Sequence, residues 1–160
     1  MTSEAERGEL TYRRVHHAPR EVLFDCMTQP AHLTRFWGPA GTTTPEDRII
    51  VDLRPGGVFQ TVMVNDTDGG EHTLRAVYDL VDRPAVLAWT EQGSGMSTTI
   101  RFTDLGDGRT EVITRQANVP AAYRSPEAPA GFATSLDRYD AYIASLMAGR
   151  PEARSRHGGA

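Results

Sequence analysis

The sequence predicts an α+β domain in which a curved antiparallel sheet wraps one long C-terminal helix. Three observations carry this. Residues 48–117 are a succession of short β-branched and aromatic runs divided by turn signals, the pattern of an antiparallel meander. Phe132, Leu136, Tyr139, Ile143 and Leu146 then step by four, three, four and three residues, which draws one apolar stripe along a helix running to about Met147. Ahead of both, a strand-like run is followed by two short helical segments.

The elements follow in order. Leu10 to His16 has strand-forming residues, and Ala18-Pro19 breaks it. Proline suits helix entry, and Glu21, Val22, Leu23, Phe24 and Met27 have helical spacing. Thr28-Gln29-Pro30 stops that helix, and Ala31 to Trp37 reads as a second one, ended by Gly38-Pro39. Arg54-Pro55-Gly56-Gly57 separates a strand at Ile49–Leu53 from one at Val58–Val64, and Asp66-Thr67-Asp68-Gly69-Gly70 separates that from His72–Val81. After Asp82-Arg83-Pro84 come Ala85–Glu91, Thr98–Thr103 and Thr110–Ala117. The last two are joined by Asp107-Gly108, a pair that tolerates positive φ and favours a tight hairpin. About seven strands result. Val119 to Ala130 holds three prolines and reads as a long loop. The expected organisation is a flexible N-terminus at 1–9, a single domain at 10–148, and a disordered Arg- and Gly-rich tail at 149–160.

Composition narrows the function. The 160 residues carry 17 basic side chains, all arginine, against 21 acidic ones, for a formal charge of −4. Without lysine there is no Walker-type phosphate loop and no lysine Schiff base. The acid excess gives no electrostatic footprint for nucleic acid. A mean hydropathy of −0.44 and a polar start argue against membrane insertion and a signal peptide. One cysteine, Cys26, allows no internal disulfide and fits a reducing cytoplasm. It sits among apolar neighbours in the first helix and is expected to be buried rather than nucleophilic.

Several motifs have bland readings. Gly93-Ser94-Gly95 leads into a strand rather than a helix N-terminus, so it is not a dinucleotide fingerprint. Asp66, Asp68 and Glu71 are too closely spaced for an EF-hand loop. His16 and His17 point to opposite faces of a strand, while His32 and His157 look exposed, so no metal site and no cofactor are expected. Asp52 and Arg54 share a strand face and are expected to pair at the surface, where such a pair contributes little.

A sheet wider than one helix leaves part of its concavity as a pocket. The motifs His17-Ala18-Pro19-Arg20-Glu21-Val22-Leu23-Phe24, Thr28-Gln29-Pro30, Phe36-Trp37-Gly38-Pro39, Val51-Asp52-Leu53-Arg54-Pro55-Gly56-Gly57, Arg83-Pro84 before Leu87, and Gly131-Phe132 at the head of the last helix sit in order across residues 10–147. With them the chain resembles the Hsp90 ATPase activator homologue (AHSA1-like) family, of the START/Bet v 1-like (SRPBCC) helix-grip superfamily. The resemblance implies the helix-grip fold. It leaves function open, because the superfamily includes lipid carriers, hormone receptors, polyketide cyclases and self-resistance proteins.

Strand alternation assigns the concave face. It places Phe59, Thr61 and Met63; His72, Leu74, Ala76 and Tyr78; Leu87, Trp89 and Glu91; Ile100 and Phe102; and Val112, Thr114, Gln116 and Asn118 inward. Arg75, Asp79, Arg101, Glu111 and Arg115 fall outward, although a bulge would reverse part of a strand. Thr61, His72, Tyr78, Glu91, Thr114 and Gln116 are the informative members, because inward polar groups need partners in the protein, in water or in a ligand. Trp37 and the Phe132, Leu136 and Tyr139 helix face close the pocket, with Met96 and Tyr123 at its mouth.

Three functions fit. The first is a binding protein that holds a hydrophobic or aromatic small molecule, in secondary metabolism or self-resistance. The second is a polyketide cyclase or dehydratase type of enzyme, with His72 or Glu91 as general acid or base and Tyr78 or Gln116 on a developing oxyanion. The third is a chaperone-associated interaction module with a protein partner.

Overall fold

A computed structural model describes residues 8–120 and 127–149. The elements run β1 (Leu10–His16), α1 (Arg20–Cys26), α2 (Pro30–Phe36), β2 (Thr42–Thr43), a short 3-10 turn (Glu46–Arg48), β3 (Ile50–Val51), β4 (Val58–Asn65), β5 (Glu71–Asp82), β6 (Val86–Glu91), β7 (Ser97–Gly106), β8 (Arg109–Ala117) and α3 (Glu127–Ala148). All strands join one antiparallel sheet in the order β1-β8-β7-β6-β5-β4-β2, with β3 on the free stretch of β4. The predicted α+β helix-grip architecture is what forms. The sheet has eight strands rather than about seven because Thr42–Thr43 adds a two-residue pairing with β4; the predicted Ile49–Leu53 strand is present but contracts to two residues.

The turns follow their chemistry. Asp107 and Gly108 hold φ of 58° and 74°, the pair of positive values a two-residue hairpin requires. Gly57 is fixed by close approach: a Cβ there would lie 2.0 Å from the Asp52 carbonyl oxygen. In β5 the register shifts between Tyr78 and Leu80, so the inward set passes from Leu74, Ala76 and Tyr78 to Val81, and Leu80 turns to solvent. The outward assignment of Arg75, Asp79, Arg101 and Arg115 agrees with their exposure. Asn118, read as inward, is exposed, because at φ 56° it ends the ladder in a left-handed turn.

The long helix starts earlier than its apolar stripe suggests, at Glu127 within the predicted loop. Pro129 is tolerated there because the first turn needs no donor to an earlier carbonyl. Tyr139 Oη donates to the Leu23 carbonyl at 2.7 Å, which ties α3 to α1 behind the sheet. Arg83 makes a two-pronged contact with Asp25 at 2.9 Å, holding the β5–β6 turn on α1. Gly8 and Glu9, read as part of a flexible start, are held: the Gly8 carbonyl accepts from Val119, and Glu9 pairs with Arg115. Residues 1–7 and 150–160, with most of both predicted flexible ends, and Tyr123 lie outside the described residues.

Candidate functional site

The concave face is not filled. Between α3, α2 and strands β4–β8 lies a cavity of about 190 Å³. It adjoins, sharing the walls Pro39, Met63, Met96, Gln116, Phe132 and Ser135, an outer space of about 470 Å³ bordered by Leu10, Tyr12, His72 and Val119. The inner volume exceeds the roughly 150 Å³ of an apolar cavity that takes benzene.

Its walls are mostly apolar. Trp37 and Trp89 stand 6.1 Å apart by ring centroid, and Phe36 packs on Tyr139 at 4.8 Å. Met27, Met63, Leu74, Ile100, Phe132 and Leu136 complete the apolar lining. Gly38 lets α2 end against the wall: a Cβ there would meet Thr42 Oγ1 at 2.6 Å, and its φ is +98°. Arg138 donates to the Gly38 and Pro39 carbonyls, both at 2.9 Å, and so pins this rim to α3.

The polar lining is concentrated. Thr98 lies opposite Gln116 across β7–β8, and Thr114 is next but one on β8. All three are buried and line the cavity, and none makes a side-chain hydrogen bond among the described residues. A buried polar group without a protein partner is commonly met by water or ligand. The Trp89 indole N–H is also buried without a partner. Glu91, at the end of β6, lines the same cavity. Burial raises its carboxyl pKa above the usual range, while a weak contact from Ser94 and the nearby His72 oppose the shift.

The model of the activator of Hsp90 ATPase homolog 1-like protein family matches residues 17–144. The chain belongs to this family. Members of this AHSA1 family and its helix-grip superfamily generally bind hydrophobic ligands. No curated protein matches the sequence. Among solved structures, one from Chromobacterium violaceum has a TM-score of 0.76 at 22% identity, covering 85% of this chain and 96% of its own. One from Nitrosomonas europaea scores 0.76 at 21% identity, covering 89% and 97%. The AHSA1 protein of Silicibacter pomeroyi scores 0.73 at 22% identity, covering 86% and 99%. At these identities the likeness is one of fold.

In this AHSA1 family member, ten of the fourteen predicted site residues line the inner cavity: Trp37, Met63, Trp89, Glu91, Met96, Thr114, Gln116, Phe132, Leu136 and Tyr139. Four others, Phe59, Thr61, Tyr78 and His72, do not reach it. Phe59 and Tyr78 stack on each other at 5.5 Å behind the tryptophans, fully buried as core. Thr61 is completely buried and accepts from Trp37 Nε1 at 3.0 Å, so its hydroxyl is satisfied within the protein. Burial alone drives the Tyr78 phenol pKa well above its ordinary value. His72 shares their face but sits where β5 leaves the helix, exposed at the outer space.

Alternation missed residues that come from outside the strands or beside a chosen one. Met27, capping the end of α1, and Phe36, the last residue of α2, enter from outside the sheet, where the strand period does not report. Thr98 has the parity of Ile100, and Ser135 lies one turn before Tyr139, so both were available from periodicity. His32, read as exposed, is half-buried with Nδ1 2.6 Å from Tyr142 Oη. Cys26 is buried, its pKa pushed up to about 12 chiefly by burial and then by Asp25, as an inert core thiol requires. Asp52 and Arg54 form the expected surface pair at 3.0 Å.

Proposed function

We propose that the protein binds a hydrophobic or aromatic small molecule in the cavity between the sheet and the C-terminal helix, with secondary metabolism or self-resistance as its setting. The observation that carries this reading is the combination of an aromatic- and methionine-lined space of about 190 Å³ with the Thr98, Thr114 and Gln116 strip turned into it. Apolar walls supply affinity by burial, and a few fixed polar groups supply orientation. The cyclase alternative would draw its base from Glu91 or from His72, which is exposed at the outer space. Binding uses the enclosed residues directly. For the interaction-module alternative, the large apolar side chains exposed among the described residues are Val15 on β1, Ile50 and Leu53 on and just after β3, Leu80 on β5 and Leu105 on β7.

N-phenyl-1-naphthylamine, a neutral dye that brightens in apolar surroundings, tests the reading. Wild type is expected to enhance its emission with saturable one-to-one binding, and Ser135→Trp, which fills the space from α3, to abolish it. Equal enhancement by both proteins, or none by wild type, would overturn it.

A further inference from the structure

The charge inside the cavity has one sign. Among the described residues that line it, Glu91 is the single ionisable side chain of ordinary acidic or basic strength. The neighbouring guanidinium groups are engaged elsewhere. Arg138 is committed to the Gly38 and Pro39 carbonyls, and Arg14 bridges Asp137 and Asp140 at 2.9 and 2.7 Å. Within the inner cavity an anionic guest would thus meet the Glu91 carboxylate, with the nearest basic group, His72, outside it at the outer space, and like charges at close range oppose binding.

Aromatic rings surround the same space. Trp37, Trp89, Phe36 and Tyr139 present π-systems to it, and cations are attracted to such faces, most strongly to tryptophan. The inner volume of about 190 Å³ suits one ring or a fused pair, with the rest of a larger molecule reaching the outer space. We propose that the ligand is a small arylalkylamine, its rings against the tryptophan-lined wall and its ammonium group paired with Glu91. The proposal rests on the cavity reading above and adds the sign of the ligand's charge. Burial disfavours the Glu91 carboxylate more than the weak Ser94 contact and His72 favour it, and a docked cation would offset that desolvation. Thr98, Thr114 and Gln116 remain available for a hydroxyl or carbonyl substituent.

The test compares three isosteres by calorimetry at about pH 8, where free carboxylates and primary alkylamines are both charged: 2-naphthylmethylamine, 2-naphthylmethanol and 2-naphthoate. Wild type is expected to bind the amine at least about tenfold more tightly than the alcohol, and the carboxylate most weakly. In Glu91→Gln the amine-to-alcohol ratio falls to near one while alcohol binding persists, which separates a lost charge from a lost fold. Alcohol binding in wild type without an amine preference, or carboxylate binding as tight as the amine, overturns the amine assignment and leaves the cavity reading standing. Failure of all three to bind overturns both.

Discussion

The indole N–H of Trp37 donates to Thr61 Oγ1 at 3.0 Å, so a residue at the end of α2 is latched to the middle of β4 through a fully buried hydroxyl. The bond orients the indole that forms one wall of the cavity. Thr61→Val keeps the shape and removes the acceptor, leaving the indole donor unpaired. Chemical denaturation is expected to show a loss of about 1 to 3 kcal/mol, accompanied by a changed Trp37 fluorescence environment. Unchanged stability and emission would mean the latch is dispensable.

Gly57 permits the turn between β3 and β4. With a Cβ placed 2.0 Å from the Asp52 carbonyl oxygen, Gly57→Ala forces the backbone apart. The expected cost is about 3 kcal/mol in denaturant midpoint analysis. Gly56→Ala is a useful contrast: its Cβ meets nothing within 4 Å, although its φ of +85° still imposes strain. The Gly57 change should be the more damaging of the two.

The buried thiol and phenols set an alkaline limit. Cys26 moves from 9.0 to about 12, and burial also raises Tyr139 and Tyr78. Folded-state values above the unfolded ones mean that the unfolded chain releases protons first. Stability is therefore full below about pH 9 and falls as pH rises toward 12. Thermal melts across that range check the slope. Native Cys26 is also expected to resist iodoacetamide at pH 8 until denaturant is added.

His16 sets part of an acid limit. It is buried against the Tyr139 ring, and its Nε2 lies 3.4 Å from Asp140 Oδ1. Burial, the largest influence, lowers its pKa; Asp140 opposes this and Arg14 adds to it. Because the folded value is below 6.5, the unfolded chain takes up the proton first, and stability drops as pH falls from about 6.5 through the folded value. His16→Phe retains the ring contact and should flatten that part of the pH–stability profile. An unchanged slope would remove His16 from the account.

How far the sequence speaks depends on which interaction sets each feature. Period-two alternation found the inner walls at Met63, Trp89, Thr114 and Gln116 because antiparallel pairing keeps parity along a strand. It could not separate Phe59, Thr61 and Tyr78 from the cavity, since parity gives a face and not a depth. Depth is decided by where α3 and α2 rest on that face, a tertiary matter. His72 shows the same limit at the other end of β5, beyond the helix's cover. The start of α3 was hidden by prolines that penalise a helix interior yet are tolerated in a first turn, as at Pro129.

The central claim is that the cavity holds a small hydrophobic molecule. Native mass spectrometry of wild type and Ser135→Trp, each incubated with the same extract of hydrophobic metabolites, tests it most directly. The account predicts a one-to-one small-molecule adduct on wild type that the filled variant does not retain. Bare wild-type protein, or the same adduct at equal abundance on both, would contradict it.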